Sequence, residues 1–313
     1  MVKLVLASAE QKQARDLSTW AAWGSRLTPE QYRAREDRLR GHPWARAGMQ
    51  SWLIVEDDAV LASCESFRME STLHGAPGTA HAFASVYTEP ALRGNGHASQ
   101  LLGAVHERLE AAGEALHGTL LFSDVGPAIY ERLGYLSLPA VDRVLTPCGG
   151  APEATVDRLV GEGELAATLA TFSRPASGLV VWPTAPQLDW HLERERCYAE
   201  LLGLQRPLAC GAVAGAGRVL WVGNLKASSL AVLLLEAPDA QTAFALVEAA
   251  RRCAAAAGLR EVRLWEAPLP FAWPGDGSLG EREPRDGGLP MFRPVAPGAR
   301  VEELLDLPRA LWV

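Results

Sequence analysis

Residues 85 to 98 read SVYTEPALRGNGHA: a strand-like apolar run, a proline, an arginine, two glycines and the start of an apolar helix. Gly94 and Gly96 admit backbone angles and close approaches that a β-carbon would block, so a turn built on them faces another backbone or a ligand. Placed ahead of a helix, the turn also aims several unpaired N–H groups and the helix N-terminus at one spot, which is an anion site by construction. A pyrophosphate suits it. The dinucleotide pattern G-x-G-x-x-G is not met, because Gly94, Gly96 and Ser99 give G-x-G-x-x-S, and the Gly-Lys-Ser/Thr ending of a Walker loop is absent. What remains is [R/Q]-x-x-G-x-[G/A], carried by Arg93, Gly96 and Ala98, with Pro90 three residues ahead of the arginine.

Outward from this turn the pattern is consistent. On one side SWLIVEDDAVLASCESF reads as two strands across the turn Glu56-Asp57-Asp58, and AHAFASVYT as a third. On the other, Leu101, Leu102, Val105, Leu109 and Ala112 recur at helical spacing until Gly113, and LHGTLLF returns to a strand. The chain opens with the strand-like VKLVLAS, a helix over residues 10 to 24, and a second helix begun by Thr28-Pro29. The polarity of PEQYRAREDRLR puts that helix at the surface, in solvent or over a cleft. A helix from Pro127 to Leu133 precedes a strand ending near Val144, and TPCGGAPEAT is the linker candidate.

Beyond the linker come a helix at 188 to 203, strands at 208–214, 218–224 and 229–236, a helix from Asp239 to Ala257, and the strand REVRLWEA. This β-β-β-α-β order repeats the first half without a sequence repeat. Where LAVLLLEAP runs into DAQTAFALVEAA, however, no glycine or arginine appears, so no second pyrophosphate site is expected there. The expected fold is α+β with mixed sheets, in two domains: 1–148, and a degenerate copy at 153–313 that lacks the loop and walls the substrate pocket.

Composition narrows the function. A net charge of −7 argues against a nucleic-acid partner, and no apolar run approaches the roughly 18 residues of a membrane span. The first residues are too short an apolar stretch for a signal peptide, so a cytoplasmic protein is expected. The five cysteines are scattered without a C-x-x-C pair, so neither disulfides nor a metal site is expected.

The turn and its flanking elements resemble the acetyl-coenzyme A loop of the GNAT acyltransferase superfamily. A second motif, AIYERLGY, resembles that superfamily's later signature. The stretches STWAAWGSRLTPEQYRARE, ASCESFRM, LFSDVGPAIYERLGY and WHLERE are further similar to the fungal lysine ε-amino acetyltransferases and their bacterial relatives, diffusely after residue 205. The resemblance implies acetyl-coenzyme A as cosubstrate, held by Arg93, Gly94, Asn95, Gly96, His97 and Ala98, by Tyr87 and Thr88 on the preceding strand, and by Ser123. Thr88 departs from the superfamily's usual valine. The resemblance also implies Tyr130 as general acid toward the departing thiolate, and a small-molecule amine as acceptor, free lysine first. An amine-bearing natural product or antibiotic is the alternative within the class, and a coenzyme-responsive binding module the alternative outside it.

Acetyl transfer needs a neutral amine, and freeing a lysine ε-amine near pH 7 from its ordinary pKa of about 10.4 costs roughly 4–5 kcal/mol. A carboxylate is the usual proton acceptor. Glu65, Glu89 and Asp124 are the candidates; Glu65 and Asp124 rank equally as polar contacts in the cleft, with N-capping of the Pro127 helix as another role for Asp124. The long Pro/Gly-rich segment 268–292 is expected to cover the substrate, with Trp273 as its apolar tip.

Overall fold

The computed structural model describes residues 1–266, 269–275, 277–285, 287–300, 302, 304 and 307–313. The first half runs β1 (Lys3–Leu6), α1 (Ala9–Trp23), α2 (Pro29–Gly41), α3 (Pro43–Gly48), β2 (Met49–Glu56), β3 (Ala59–Leu73), β4 (Ala76–Thr88), α4 (His97–Glu110), β5 (Leu116–Ser123), α5 (Ala128–Glu131), β6 (Leu136–Ser137) and β7 (Val141–Leu145). The second continues with β8 (Arg158–Val160), α6 (Leu165–Leu169), β9 (Leu179–Val181), α7 (Ala185–Leu202), β10 (Gly211–Ala214), β11 (Gly217–Asn224), β12 (Ser229–Glu236), α8 (Ala240–Ala256), β13 (Glu261–Trp265), β14 (Glu281–Pro284) and β15 (Leu289–Pro294).

Local chemistry sets the helix starts. Ser8 with Gln11, and Thr28 with Gln31, form reciprocal capping boxes at α1 and α2. The stripe Leu101, Leu102, Val105 and Leu109 on α4 is buried against Trp52, Phe83 and Leu121. On α8, Ala243, Leu246, Val247, Ala250 and Cys253 pack on Trp221 and Val262. At about 1.5–3 kcal/mol for each fully buried large apolar side chain, these stripes decide which face of each helix meets its sheet.

Among the described residues two mixed sheets result, ordered β1-β2-β3-β4-β5-β15-β6 with β9 beside β3, and β14-β7-β13-β12-β11-β10-β8. The linker at 148–153 divides the chain but not the sheets. β7, which precedes it, pairs with β13 and β14 in the second sheet, while β15, far beyond it, inserts between β5 and β6 of the first. Gly118 on β5 permits this insertion, since a β-carbon there would collide with the Phe292 ring.

The expected covering segment at 268–292 is therefore corrected. It contains β14 and the start of β15, and serves as the crossover that stitches the sheets together; its residues Pro268, Asp276 and Asp286 lie outside the described residues. The polar helix α2 lies over the cleft between the two halves, packed on α1 and α7 with Tyr32, Glu36 and Leu39 buried. Among the described residues no helix is long and apolar enough to cross a membrane.

Candidate active site

β4 and β5 run parallel and pair from Thr79/Leu116 to Phe83/Leu121, then part. β4 continues to Thr88 and β5 to Ser123, so residues 84 to 88 present an edge unpaired by β5 to a V-shaped slot. A bulge bends β4 away: β3 advances from Ser63 to Glu65 while β4 goes from Tyr87 to Ala84, one residue more, and Ser85 takes a φ of 52°.

Arg15 of α1 holds that bulge. It donates Nε to Ser63 Oγ at 3.1 Å, Nη1 to Glu65 Oε1 at 3.0 Å and Nη2 to the Ser85 carbonyl at 3.0 Å. Both Arg15 and Glu65 are buried. Removing one member of such a pair strands the other charge at a cost of about 3–5 kcal/mol, so Glu65 is first of all the counter-ion of Arg15.

At the mouth of the slot, the turn after β4 winds through Gly94 (φ 84°) and Gly96 (φ 78°), and Gly96 is the N-cap of α4 with no side chain capping it. The first amides of α4, from His97 and Ala98 onward, have no partner within the helix. A β-carbon on Gly94 or Gly96 would meet no protein atom within 4 Å, so the space before the amides is open and the positive φ is what demands glycine. Arg93 donates Nε to the Thr88 carbonyl at 3.1 Å and lies 5.8 Å over the Tyr87 ring, while Asn95 Nδ2 donates to the Leu92 carbonyl at 3.1 Å. Thr88 Oγ1 and His97 Nδ1 are buried without a hydrogen-bond partner among the described residues. Open amides, a bare strand edge and orphaned polar atoms are what a phosphate-bearing, amide-containing ligand would satisfy, so these residues fit acetyl-coenzyme A.

The slot opens into a cleft of about 690 Å³ between the two halves. Tyr130, on α5, lines it with Glu65, Phe83, Ser85 and Asp124 of the first half and Arg194, Tyr198, Asn224 and Lys226 of the second. Burial, with help from Asp124, pushes the Tyr130 phenol up to about 12, and Ser123 beside it opposes the shift. The phenol is therefore a proton donor throughout the neutral range.

Ser123 Oγ donates to the Gly126 carbonyl at 2.7 Å and accepts from the Val125 amide at 3.2 Å, shaping the turn that delivers Tyr130. Asp124 does not cap α5, whose N-cap is Pro127. It is exposed, and its Oδ1 accepts the Gly288 amide at 2.8 Å, tying the approach to β15 to the end of β5. Glu89 is not among the residues lining the cleft.

The placement of Trp273 corrects its expected role. It lies under Arg143, whose guanidinium is 5.2 Å from its ring centroid, and lines a different cavity of about 610 Å³ beside β12 and β13. Glu65, Asp124 and Tyr130 thus come together, and Trp273 does not join them.

Arg35 and Lys226 of the cleft escaped the sequence reading, while His191 and His106 carry packing as their expected role. Arg35 of α2 bonds Glu36 and the Tyr198 hydroxyl, and Lys226 Nζ donates to the Trp23 carbonyl at 2.8 Å. Burial lowers the Lys226 pKa. His191 is a core histidine whose pKa burial pushes down to about 3, and His106, bonded to the Tyr135 hydroxyl at 2.9 Å, falls to about 4 for the same reason. The only sequence signal for the arginines was their number on α2 and α7, and it does not say which of them face inward.

Residues 8–137 match the acetyltransferase (GNAT) domain family, and residues 164–282 match the LYC1 GNAT-like C-terminal domain family. A GCN5-related N-acetyltransferase from Kribbella flavida has a similar fold. It is 22% identical over 94% of this chain and 71% of that one, with a TM-score of 0.57. A conserved protein from Enterococcus faecalis V583 is 15% identical, with 94% and 73% covered and a TM-score of 0.61. Eis1 from Mycobacterium abscessus is 12% identical, with 94% and 73% covered and a TM-score of 0.52. At these identities the likeness concerns the fold. No curated protein matches the chain.

Proposed function

We propose that this chain, a GNAT acetyltransferase made of two GNAT-type domains, acetylates the side-chain amine of a small molecule, free L-lysine first among the candidates. The observation that carries the reading is the continuity of the β4–β5 slot, with the open amides of the Gly94–Gly96 turn following β4, and the cleft that Ala84, Ser85 and the buried phenol of Tyr130 line. Lysine follows from the resemblance to the fungal lysine ε-amino acetyltransferases.

The residues have distinct tasks. The amides of residues 93 to 98 and the N-terminus of α4 hold the pyrophosphate, and the unpaired edge of β4 at Tyr87 and Thr88 holds the amide-bearing arm. Bound acetyl-coenzyme A supplies the activated acyl group. Tyr130 donates a hydrogen bond or proton where negative charge grows on the leaving sulfur. Asp124, exposed at the cleft and not neutralised by an arginine, accepts the amine's proton directly or through water. Glu65, balanced by Arg15, keeps the bulge and the slot in shape.

Thiol release followed with dithionitrobenzoate, with acetyl-coenzyme A and lysine, ornithine or polyamines offered in turn, tests the reading. Amine-dependent thiol release, with lysine the best acceptor, is expected. Coenzyme binding without release for any amine would instead favour the binding-module alternative, and release for polyamines alone would remove lysine.

A further inference from the structure

The cleft contains two arginines that make no ion pair among the described residues. Arg194 of α7 and Arg309, in the short turn Arg309–Leu311, both line it, and neither has a carboxylate within ion-pair distance among the described residues. Arg194 donates Nη2 to His191 Nδ1 at 3.2 Å and lies 5.3 Å over the Trp190 ring. His191 Nε2 meets the Ala310 carbonyl at 2.9 Å. A carbonyl only accepts, so Nε2 carries the proton and Nδ1 is left as an acceptor that aims the arginine. Arg309 is held beside Trp265 and Trp312, 5.4 and 5.3 Å from their ring centroids.

The surroundings make these charges costly. Burial lowers both guanidinium pKa values to about 10; Arg35 further opposes the charge of Arg194, which Glu36 partly offsets, and Asp142 favours the charge of Arg309 while Arg285 and Arg194 oppose it. The neighbouring carboxylates are committed elsewhere, Glu36 to Arg35 and Asp142 to Arg263 and Arg285. Cations desolvated in a cleft, Arg194 half-buried and Arg309 buried, and paired with no carboxylate of their own suit an anion that arrives with the ligand.

We propose that Arg194, oriented by His191 and backed by Arg309, is the carboxylate receptor of the acceptor pocket, so that the acceptor is an amine carrying a carboxylate at the end remote from the reacting nitrogen. The proposal rests on the acyl-transfer reading above. It assigns the cleft residues to the two ends of the ligand: Tyr130 and Asp124, from the first domain, to the amine, and Arg194 and Arg309, from the second, to the acid. The planar guanidinium grips a carboxylate through two parallel hydrogen bonds, which an ester or a bare diamine cannot accept as a charged pair.

The test compares L-lysine, L-lysine methyl ester and cadaverine on the full chain and its Arg194→Met variant. Wild type should prefer lysine over the other two by at least about 30-fold in kcat/KM, the worth of a charge-assisted hydrogen bond. Arg194→Met should lose that preference, mainly through KM for lysine, while cadaverine turnover and coenzyme affinity stay within about threefold. Its Tm should be unchanged or higher, since a desolvated charge without an ion pair has gone, whereas a purely structural arginine would lower it. Equal use of lysine and cadaverine by wild type, or parallel losses in the variant, would overturn the receptor while leaving acetyl transfer intact. If no amine releases thiol, titration of tryptophan fluorescence with lysine and its methyl ester decides independently: a lysine response that wild type shows and Arg194→Met lacks supports the receptor, and identical responses overturn it.

Discussion

The two domains repeat one backbone idea and finish it differently. In the first, β4 and β5 part after Phe83/Leu121; in the second, the parallel pair β12 and β13 parts after Ala231/Arg263. Each parting is followed, along the earlier strand, by a helix. In the first domain the helix begins at Gly96, in the left-handed region, with its amides bare. In the second it begins at Asp239, whose Oδ1 accepts the Thr242 amide at 2.7 Å. That backbone hydrogen bond holds the Asp239 carboxyl below its usual range and fills the anion site with the protein's own charge. The topology alone therefore does not make a coenzyme site. The helix start of the second domain is capped by the protein's own carboxylate, where that of the first is left bare.

The sharpest way to break this comparison is Tyr130→Phe, because only the first domain adds a phenol to its slot. The ring and its edge contact with Tyr135 survive, so coenzyme affinity should hold within about threefold while kcat falls about 10²–10⁴-fold, or roughly 3–5 kcal/mol. A kcat reduction smaller than about threefold in steady-state assays would make Tyr130 a packing residue.

Acid should act next most strongly, and unevenly. Burial depresses His81 and His106 in the first domain to about 4, and His191 in the second to about 3, from the ordinary 6.5. A histidine that is neutral when folded takes up a proton on unfolding below pH 6.5. Its stabilising contribution is complete above that value and is lost as pH falls toward the folded pKa. Moving from pH 7 to pH 5 should cost on the order of 1–2 kcal/mol for each such histidine, and His106→Gln should flatten the dependence. Denaturant midpoints that do not move between the two pH values would contradict the depressed values.

Gly96→Val follows. Its side chain would meet open space, but a φ of 78° costs a β-branched residue about 1–3 kcal/mol and displaces the amides it precedes. Coenzyme Kd from calorimetry should rise tenfold or more with little change in kcat at saturation; an unchanged Kd would remove the turn from the binding site. Smallest is Asp239→Ala. It should lower Tm slightly through the lost cap and leave coenzyme Kd where it was, and a second coenzyme equivalent bound by this variant would show that Asp239 alone had kept the second domain's opening closed.

Much of the first domain was legible because its signals are local. The helix start at Thr28-Pro29, the α4 stripe and the glycine turn ahead of α4 each act within a few residues, and these elements stand where the sequence places them, whereas the capping boxes of Ser8 and Thr28 emerge only in the structure. The β-β-β-α-β order likewise exposed the second domain. Long-range pairing was not legible. β15 reads as part of a Pro/Gly-rich loop, because Pro290 and Pro294 mask a strand that is defined by its neighbours β5 and β6 rather than by its own propensity. Trp273 looked like a lid tip for the same reason.

The sequence by itself determined the helices, the coenzyme turn and the duplicated element order, since capping, apolar periodicity and left-handed glycines are read from neighbouring residues. The tertiary structure alone decided which charges face the cleft. Arg15 reaches Glu65 across 50 positions and Arg26 reaches the Leu225 carbonyl across 199, and His191 aims Arg194 only because Ala310 takes its other nitrogen. The function of an arginine depends on whether a carboxylate stands within a few ångströms of it, and that distance is set by how two sheets exchange strands and close on each other.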